Sequence, residues 1–100
     1  MDDKTLTALR DSIEHWRRLA TGTRREGETP YGENCALCAL FCRYDGCAGC
    51  PVMEKTGRSN CHGTPWREAF SAWWGKHADF LAAAQKELEF LESLLPAGDK

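Results

Sequence analysis

The cysteines of this 100-residue chain are confined to one stretch. All six lie between Cys35 and Cys61, and both flanking segments contain none. Small disulfide-stabilised proteins usually spread their cysteines along the chain to close several loops, whereas clustered cysteines in a reducing compartment are typical of metal sites or catalysis. The confinement therefore favours a metal over disulfides, and it marks the stretch that needs something other than a hydrophobic core to hold its shape.

Two Cys-x2-Cys pairs form the centre of this pattern. Cys35 pairs with Cys38, Cys47 pairs with Cys50, and Cys61 follows after ten further residues. Four thiolates in a closed tetrahedral shell are the usual structural zinc site. We therefore predict one zinc ion held by four of these five cysteines, with Cys47 and Cys61 as rivals for one position.

The other groups in the stretch leave alternatives open. Cys42 falls one helical turn after Cys38 and is expected to pack as a small apolar side chain. His62 is more simply an exposed neighbour of Cys61 than a ligand. Iron is the alternative metal, because a proline follows Cys50 as in ferredoxin cysteine runs, although the rest of such a run is not matched. A redox Cys-x2-Cys belongs to a βαβ unit, which this sequence does not predict.

Apolar residues recur at helical steps of three or four on both sides of the cysteines. They predict a first helix that ends at Gly22, with an apolar stripe of Leu6, Leu9, Ile13, Trp16 and Ala20. Thr64 and Pro65 predict the start of a second helical segment. Its stripe comprises Trp66, Phe70, Trp73, His77, Phe80, Ala84, Leu88, Leu91 and Leu95. Gly75 lies off this stripe, so both one long helix and two helices remain open.

The predicted fold is mainly α, in a single domain of residues 1–100. It has an N-terminal helix in 1–22, a cysteine-rich metal-binding segment in 23–63 and a long or split C-terminal helix in 64–96. Two apolar stripes bury each other best in an antiparallel helical pair or a three-helix arrangement, with the metal-stapled loop between first and last helices. No apolar run reaches membrane-spanning length and the N-terminus is not a secretory signal, so we expect a cytoplasmic protein.

Charge and motif content disfavour two classes of function, nucleic-acid binding and catalysis. The net charge is −2, and the arginines from Arg10 to Arg25 oppose the acids from Asp79 onward. This favours two complementary packed helices over a dedicated nucleic-acid surface. Thiolate ligands suit structural zinc better than catalytic zinc, and no catalytic motif is present, so we do not expect an enzyme.

The tryptophans point to a contact surface. The chain has four, and Trp16, Trp66 and Trp73 fit the predicted stripes. Trp74 cannot share the helix face of Trp73, so we expect it to be exposed, and exposed aromatic residues mark binding surfaces. We therefore predict a zinc-stabilised, non-catalytic adaptor for a protein partner, with homodimerisation through the helices as its simplest version. The alternatives are a zinc-dependent nucleic-acid-binding module, through basic residues around the metal loop, and an iron redox protein.

Five segments together resemble a family of small, uncharacterised cysteine-rich proteins of tailed phages and prophages. They are "HWRRLA", "CALC", "CAGCPVMEKTG", "CHGTPW" and "FLAAAQKELEFLESLL", and the resemblance extends over nearly the whole chain. The family pattern of C-x2-C, C-x-G-C-P, T-G and C-x-G-T-P with an aromatic falls on Cys35, Cys38, Cys47, Cys50 and Cys61, leaving Cys42 as an extra cysteine. The resemblance implies a phage context inside a bacterial host and no particular activity.

Overall fold

The computed structural model of the protein describes residues 1–31, 35–41, 49–57, 64–96 and 98. Within these ranges the chain forms five helices and no strand, which confirms the mainly α fold class. The helices are α1 (Asp3–Thr21), α2 (Ala36–Phe41), α3 (Pro51–Thr56), α4 (Trp66–Trp73) and α5 (His77–Glu92). The metal-stapled loop stays a prediction, because Cys42, Cys47, Cys61 and His62 lie outside the described residues.

The predicted first helix forms with both of its ends defined by local chemistry. The Asp2 carboxylate accepts the backbone N–H of Thr5 at 2.7 Å, which satisfies one of the amides left free at a helix start. At the other end Gly22 has a φ of 74°, and its N–H donates to the Arg18 carbonyl. This left-handed cap favours glycine because a Cβ is strained there. The stop predicted at Gly22 is therefore confirmed.

The C-terminal segment is split rather than continuous. Helix α4 ends at Trp73, and α5 starts at His77 after the extended residue Lys76. The two helices lie side by side, as shown by the rings of Trp73 and Phe80, whose centroids are 5.0 Å apart near the turn. Further from the turn, Lys86 Nζ lies 3.3 Å from a Glu68 oxygen. The antiparallel pair is thus α4 with α5 and not the predicted pair of first and last helices, and α1, α4 and α5 make a three-helix arrangement.

The core lies between α1 and α5, as the two apolar stripes predict. From α1 it buries Leu9, Ile13, Trp16 and Leu19, and from α5 it buries Phe80, Ala84, Leu88 and Leu91. His77, placed on the stripe by its spacing, is exposed because it begins α5 at the turn. The C-terminal ends of both helices are joined by Arg17 and Glu92, whose closest charged atoms lie 3.7 Å apart. The predicted opposition of basic and acidic segments therefore produces one direct ion pair here.

Glu28 holds the loop of residues 22–31 against α1. Its buried carboxylate lies 2.6 Å from His15 Nδ1 and accepts Arg18 N–H groups on both oxygens, at 2.9 and 2.6 Å. The backbone N–H of Arg25 adds a further bond at 2.9 Å, and the Arg24 guanidinium donates to the Glu28 carbonyl at 3.0 Å. Hydrogen bonding by Arg18 is the main cause that lowers the pKa of Glu28 to about 2. Two of the arginines expected to face α5, Arg18 and Arg24, therefore direct their guanidinium groups to Glu28 instead.

No helix among the described residues is both long enough and apolar enough to cross a membrane.

Candidate metal centre and aromatic surface

Cys35 stands immediately before α2, with Cys38 in the first turn of that helix. The Cys38 backbone N–H donates to the Cys35 sulfur at 3.3 Å, and the Cys38 thiol donates to it as well. Together with the Ser12 hydroxyl at 4.0 Å, these groups outweigh burial and lower the pKa of Cys35 to about 6. The thiolate is the form of cysteine that binds metals, so Cys35 is already biased toward ligation.

Cys50 occupies the equivalent place before α3 and is only 3% exposed. Burial raises the pKa of its thiol, and the backbone N–H groups of Val52 and Met53 lie close enough to oppose that shift without forming a capping hydrogen bond. The negative charge of Cys35 raises the pKa of Cys50 further. One cysteine from each Cys-x2-Cys pair, Cys35 and Cys50, therefore lies close enough to the other to interact electrostatically.

Cys35 and Cys50 have similar backbone surroundings. Each sulfur lies near the N–H groups of the residues two and three positions later, which are Leu37 and Cys38 in one case and Val52 and Met53 in the other. Amides directed at a sulfur stabilise the thiolate through charge–dipole attraction. This local arrangement fits the thiolate donor set that a structural zinc ion requires.

The ligand set itself stays a prediction. Cys35, Cys38 and Cys50 are free of disulfides. Within the part of the chain that the structure describes, no group of three metal-ligating side chains lies close enough to hold an ion. Cys47 and Cys61, which the sequence adds to the set, lie outside that part.

A buried glutamate near the cysteines was missed by the sequence analysis. Glu87 of α5 is 2% exposed, and burial together with the charge of Cys35 raises the pKa of its carboxyl group to about 8, against a hydrogen bond with Thr64. Its Oε1 has no hydrogen-bond partner among the described residues. The available signal was its spacing, because Glu87 lies three residues after Ala84 and four before Leu91 and so belongs on the apolar stripe.

Ser12 completes what we term the polar layer, formed by Ser12, Cys35, Thr64 and Glu87. Ser12 is 1% exposed, and its hydroxyl accepts the Leu37 N–H at 3.4 Å. The layer therefore joins α1 and α5 to the beginning of the cysteine-rich stretch and to the residue that precedes Pro65.

A second feature, the aromatic surface, is formed by Tyr31, Trp66, Phe70 and Trp74. The Tyr31 ring stacks on Trp74 with centroids 6.1 Å apart and an angle of 27°, and it lies 5.5 Å from Phe70. Trp66 packs on Phe70 at 5.1 Å, and its indole N–H donates to the Pro30 carbonyl at 2.8 Å. The hydrogen bond fixes the loop that carries Tyr31, so the stack is held in place before any partner binds.

The adjacent tryptophans point in different directions, as their sequence positions predicted. Trp74 is 71% exposed, whereas Trp73 is half-buried against Phe80 with the Arg24 guanidinium 5.1 Å above its ring. Exposure of so large an apolar side chain leaves a surface that water solvates poorly.

Two exposed cations lie near Trp74 in the sequence. Arg67 lies seven residues earlier on the same face of α4, and Lys76 follows two residues later. Within the described ranges neither has an ion-pair partner, whereas the neighbouring Glu68 pairs with Lys86. Arg67 and Lys76 are therefore two exposed basic residues near Trp74 in sequence, although the whole chain is slightly acidic.

No protein-family model matches the chain, and no curated protein or solved structure is similar to it. The resemblance to phage cysteine-rich proteins therefore stays a prediction from the sequence motifs.

Proposed function

We propose that the protein is a small, zinc-stabilised, non-catalytic adaptor that binds a protein partner through its aromatic surface. The observation that carries the proposal is Trp74, which is 71% exposed and yet held in a stack with Tyr31. Tryptophan is among the residues that most often dominate the energy of protein interfaces. A side chain already fixed in its bound orientation loses less conformational entropy on binding.

The partner that fits this surface is an acidic protein segment with an apolar or aromatic anchor. The anchor would pack on Trp74 and Tyr31, and its acidic residues would face Arg67 and Lys76. Complementary charge accelerates encounter and selects among apolar partners. Lysine is normally depleted at the centre of interfaces, so Lys76 suits a rim around the exposed indole, while arginine is enriched at interfaces, which suits Arg67.

Zinc would have a structural role in this adaptor. Four of Cys35, Cys38, Cys47, Cys50 and Cys61 would hold one ion and fix the segment that links α1 to α4. Two knuckles with amides directed at the sulfurs support this assignment, with iron as the alternative metal. In keeping with the motif resemblance, the setting we propose is the cytoplasm of a bacterial cell that carries a phage.

Peptide selection provides the test. Immobilised, zinc-loaded protein is exposed to a random library of peptides containing acidic and aromatic residues, and affinities are measured by calorimetry. We expect saturable binding that weakens as salt rises and falls about 30-fold in Trp74→Ala, the loss that corresponds to an interface hot spot of about 2 kcal/mol. Arg67→Glu should weaken binding less, through a slower association rate.

Leu40→Ala is the matched control, because Leu40 is also exposed but lies on α2 away from the aromatic surface. Binding that survives Trp74→Ala, or that Leu40→Ala reduces equally, would contradict the proposal. Salt-sensitive binding to single-stranded DNA, with no selected peptide, would replace it by the nucleic-acid alternative, since stacked aromatic rings with flanking cations also suit single strands. Sedimentation that shows a dimer lost in Trp74→Ala would instead identify the partner as a second copy.

A further inference from the structure

The loop of residues 22–31 bridges α1 and α4. Its α1 side is held by Glu28, whose carboxylate lies 2.6 Å from His15 Nδ1 and accepts Arg18 N–H groups at 2.6 and 2.9 Å. Both partners belong to α1, and Glu28 is only 9% exposed. A guanidinium that binds both oxygens of a carboxylate fixes its direction as well as its distance. The loop is therefore firmly attached to α1 at one residue.

Three residues later the same loop reaches the aromatic surface. The Pro30 side chain is fully buried, and its carbonyl accepts the Trp66 indole N–H at 2.8 Å. Tyr31 then stacks on Trp74, with the ring centroids 6.1 Å apart. At about 3.5 Å of extended chain per residue, no more than roughly 10 Å of backbone separates Glu28 from Tyr31. A displacement at Glu28 therefore reaches the Tyr31 ring with little slack to absorb it.

A second contact links the position of Glu28 to α4. The Arg24 guanidinium donates to the Glu28 backbone carbonyl at 3.0 Å, and its central carbon lies 5.1 Å from the centroid of the Trp73 ring. Within the loop, the Glu28 side chain accepts the Arg25 N–H at 2.9 Å, and the Glu28 N–H donates to the Arg25 carbonyl at 3.0 Å. Glu28 thus makes contacts with α1, with the loop itself and with a cation that packs on α4.

We infer, on the basis of the adaptor function proposed above, that Glu28 is a positioning residue for the aromatic surface. By fixing the loop to α1, its carboxylate holds Tyr31 in the stack that keeps the exposed Trp74 indole in one orientation. The partner then meets a surface that is already ordered, so less conformational entropy is lost on binding. Glu28 contributes to affinity without touching the partner, since its side chain is buried against α1.

Fluorine NMR of protein labelled with fluorotryptophan reports on the stack without any partner. The Trp74 resonance is identified by its loss in Trp74→Phe, and Tyr31→Leu gives its position when the stacked ring is absent. We expect Glu28→Gln to move this resonance toward its position in Tyr31→Leu, because the amide keeps the size of the side chain but not the charge that binds Arg18. Glu26→Gln, at an exposed position in the same loop, should leave the resonance unmoved.

A second control separates positioning from general stability. Ile13→Val removes a buried methylene group from α1 and leaves every hydrogen bond of the loop in place, so it should lower stability without moving the Trp74 resonance. An equal movement in Ile13→Val, or none in Glu28→Gln, would overturn the positioning role. If Glu28→Gln does not fold by circular dichroism, Arg18→Gln, with Arg18→Lys as its conservative rescue, decides in the same way.

Affinity for a selected peptide connects the stack to binding. We expect Glu28→Gln to weaken binding about 2- to 10-fold, the loss that corresponds to ordering one further side chain on association, and less than Trp74→Ala does. Unchanged affinity in Glu28→Gln would refute its role in binding. Wild-type protein that selects no peptide would refute the adaptor function itself, while the fluorine spectra would still decide whether Glu28 holds the stack.

Discussion

Two buried glutamates, Glu28 and Glu87, differ in their hydrogen bonding and in the direction in which their pKa is shifted. Glu28, in the loop after α1, is bonded by His15, Arg18 and Arg25, and these contacts lower the pKa of its carboxyl group to about 2. Glu87, in the core, has one carboxyl oxygen without a hydrogen-bond partner among the described residues, and its pKa is raised to about 8, mainly by burial. The fully bonded carboxylate stabilises a loop. The incompletely bonded carboxyl group is expected to weaken the core.

The largest effect should come from the cysteines beside Glu87. We expect Cys35→Ser to lose zinc and to lower the melting temperature by more than about 10 °C, because the binding energy of a structural metal is also folding energy. Circular dichroism and metal analysis measure both. Cys42→Ser is the control, as the cysteine that the sequence assigns no ligand role. An unchanged melting temperature in Cys35→Ser would show that the cysteines do not stabilise the fold.

Removal of each buried carboxyl group should change the free energy of unfolding by different amounts at Glu28 and at Glu87. Glu28→Leu leaves Arg18 and His15 without their buried partner, so we expect the free energy of unfolding to fall by about 3–5 kcal/mol. Glu87→Leu removes an unpaired polar group, and its own loss should be below about 1 kcal/mol or even a gain. Urea unfolding of zinc-loaded protein measures both, with exposed Glu26→Gln as control. Equal losses of stability in both variants would contradict the difference between a stabilising Glu28 and a destabilising Glu87.

The two glutamates should also give opposite pH dependences. Because the folded protein lowers the pKa of Glu28 from 4.5 to about 2, its stabilisation is present above pH 4.5 and is lost as the pH falls toward 2. Because burial raises the pKa of Glu87 from 4.5 to about 8, its favourable contribution is present below pH 4.5 and is lost as the pH rises toward 8. Urea unfolding at several pH values should therefore show a flatter acid limb in Glu28→Gln and a flatter limb between pH 4.5 and 8 in Glu87→Gln. Curves parallel to wild type would contradict this assignment.

Much of the fold follows from the sequence because it depends on local signals. The buried stripe members Leu9, Ile13 and Trp16, the cap at Gly22 and the divergence of Trp73 from Trp74 all depend on residues close in sequence. Contacts between distant residues were not predicted. Glu28 and His15 are thirteen residues apart and meet only because the loop folds back on α1, which no periodicity reveals.

The polar layer was partly visible in the sequence. Ser12 and Glu87 both stand at helical steps that fit the apolar stripes, which is where a polar residue signals something unusual. The sequence analysis followed the apolar members and passed over these two. The influence of Thr64 on the pKa of Glu87, from 23 residues away, depends on how the chain before α4 lies against α5.

Substitutions in the aromatic surface should have small effects on stability. Trp66→Phe removes the bond to the Pro30 carbonyl, and we expect it to cost about 1 kcal/mol and to weaken partner binding by loosening Tyr31. Trp74→Ala should change the free energy of unfolding by no more than about 0.5 kcal/mol, because the side chain is exposed. Chemical denaturation compares them. A large loss in Trp74→Ala would make this tryptophan a packing residue instead of a contact residue.

The most direct test of the metal centre is elemental analysis of untagged protein, combined with its absorption spectrum and with circular dichroism before and after a strong chelator. We predict one zinc ion per chain, a colourless solution and loss of helical signal after chelation. Protein without bound metal, whose helical signal and melting temperature do not respond to the chelator, would contradict a structural metal centre. Iron with a visible absorption band would keep the centre and replace the zinc adaptor with a redox protein.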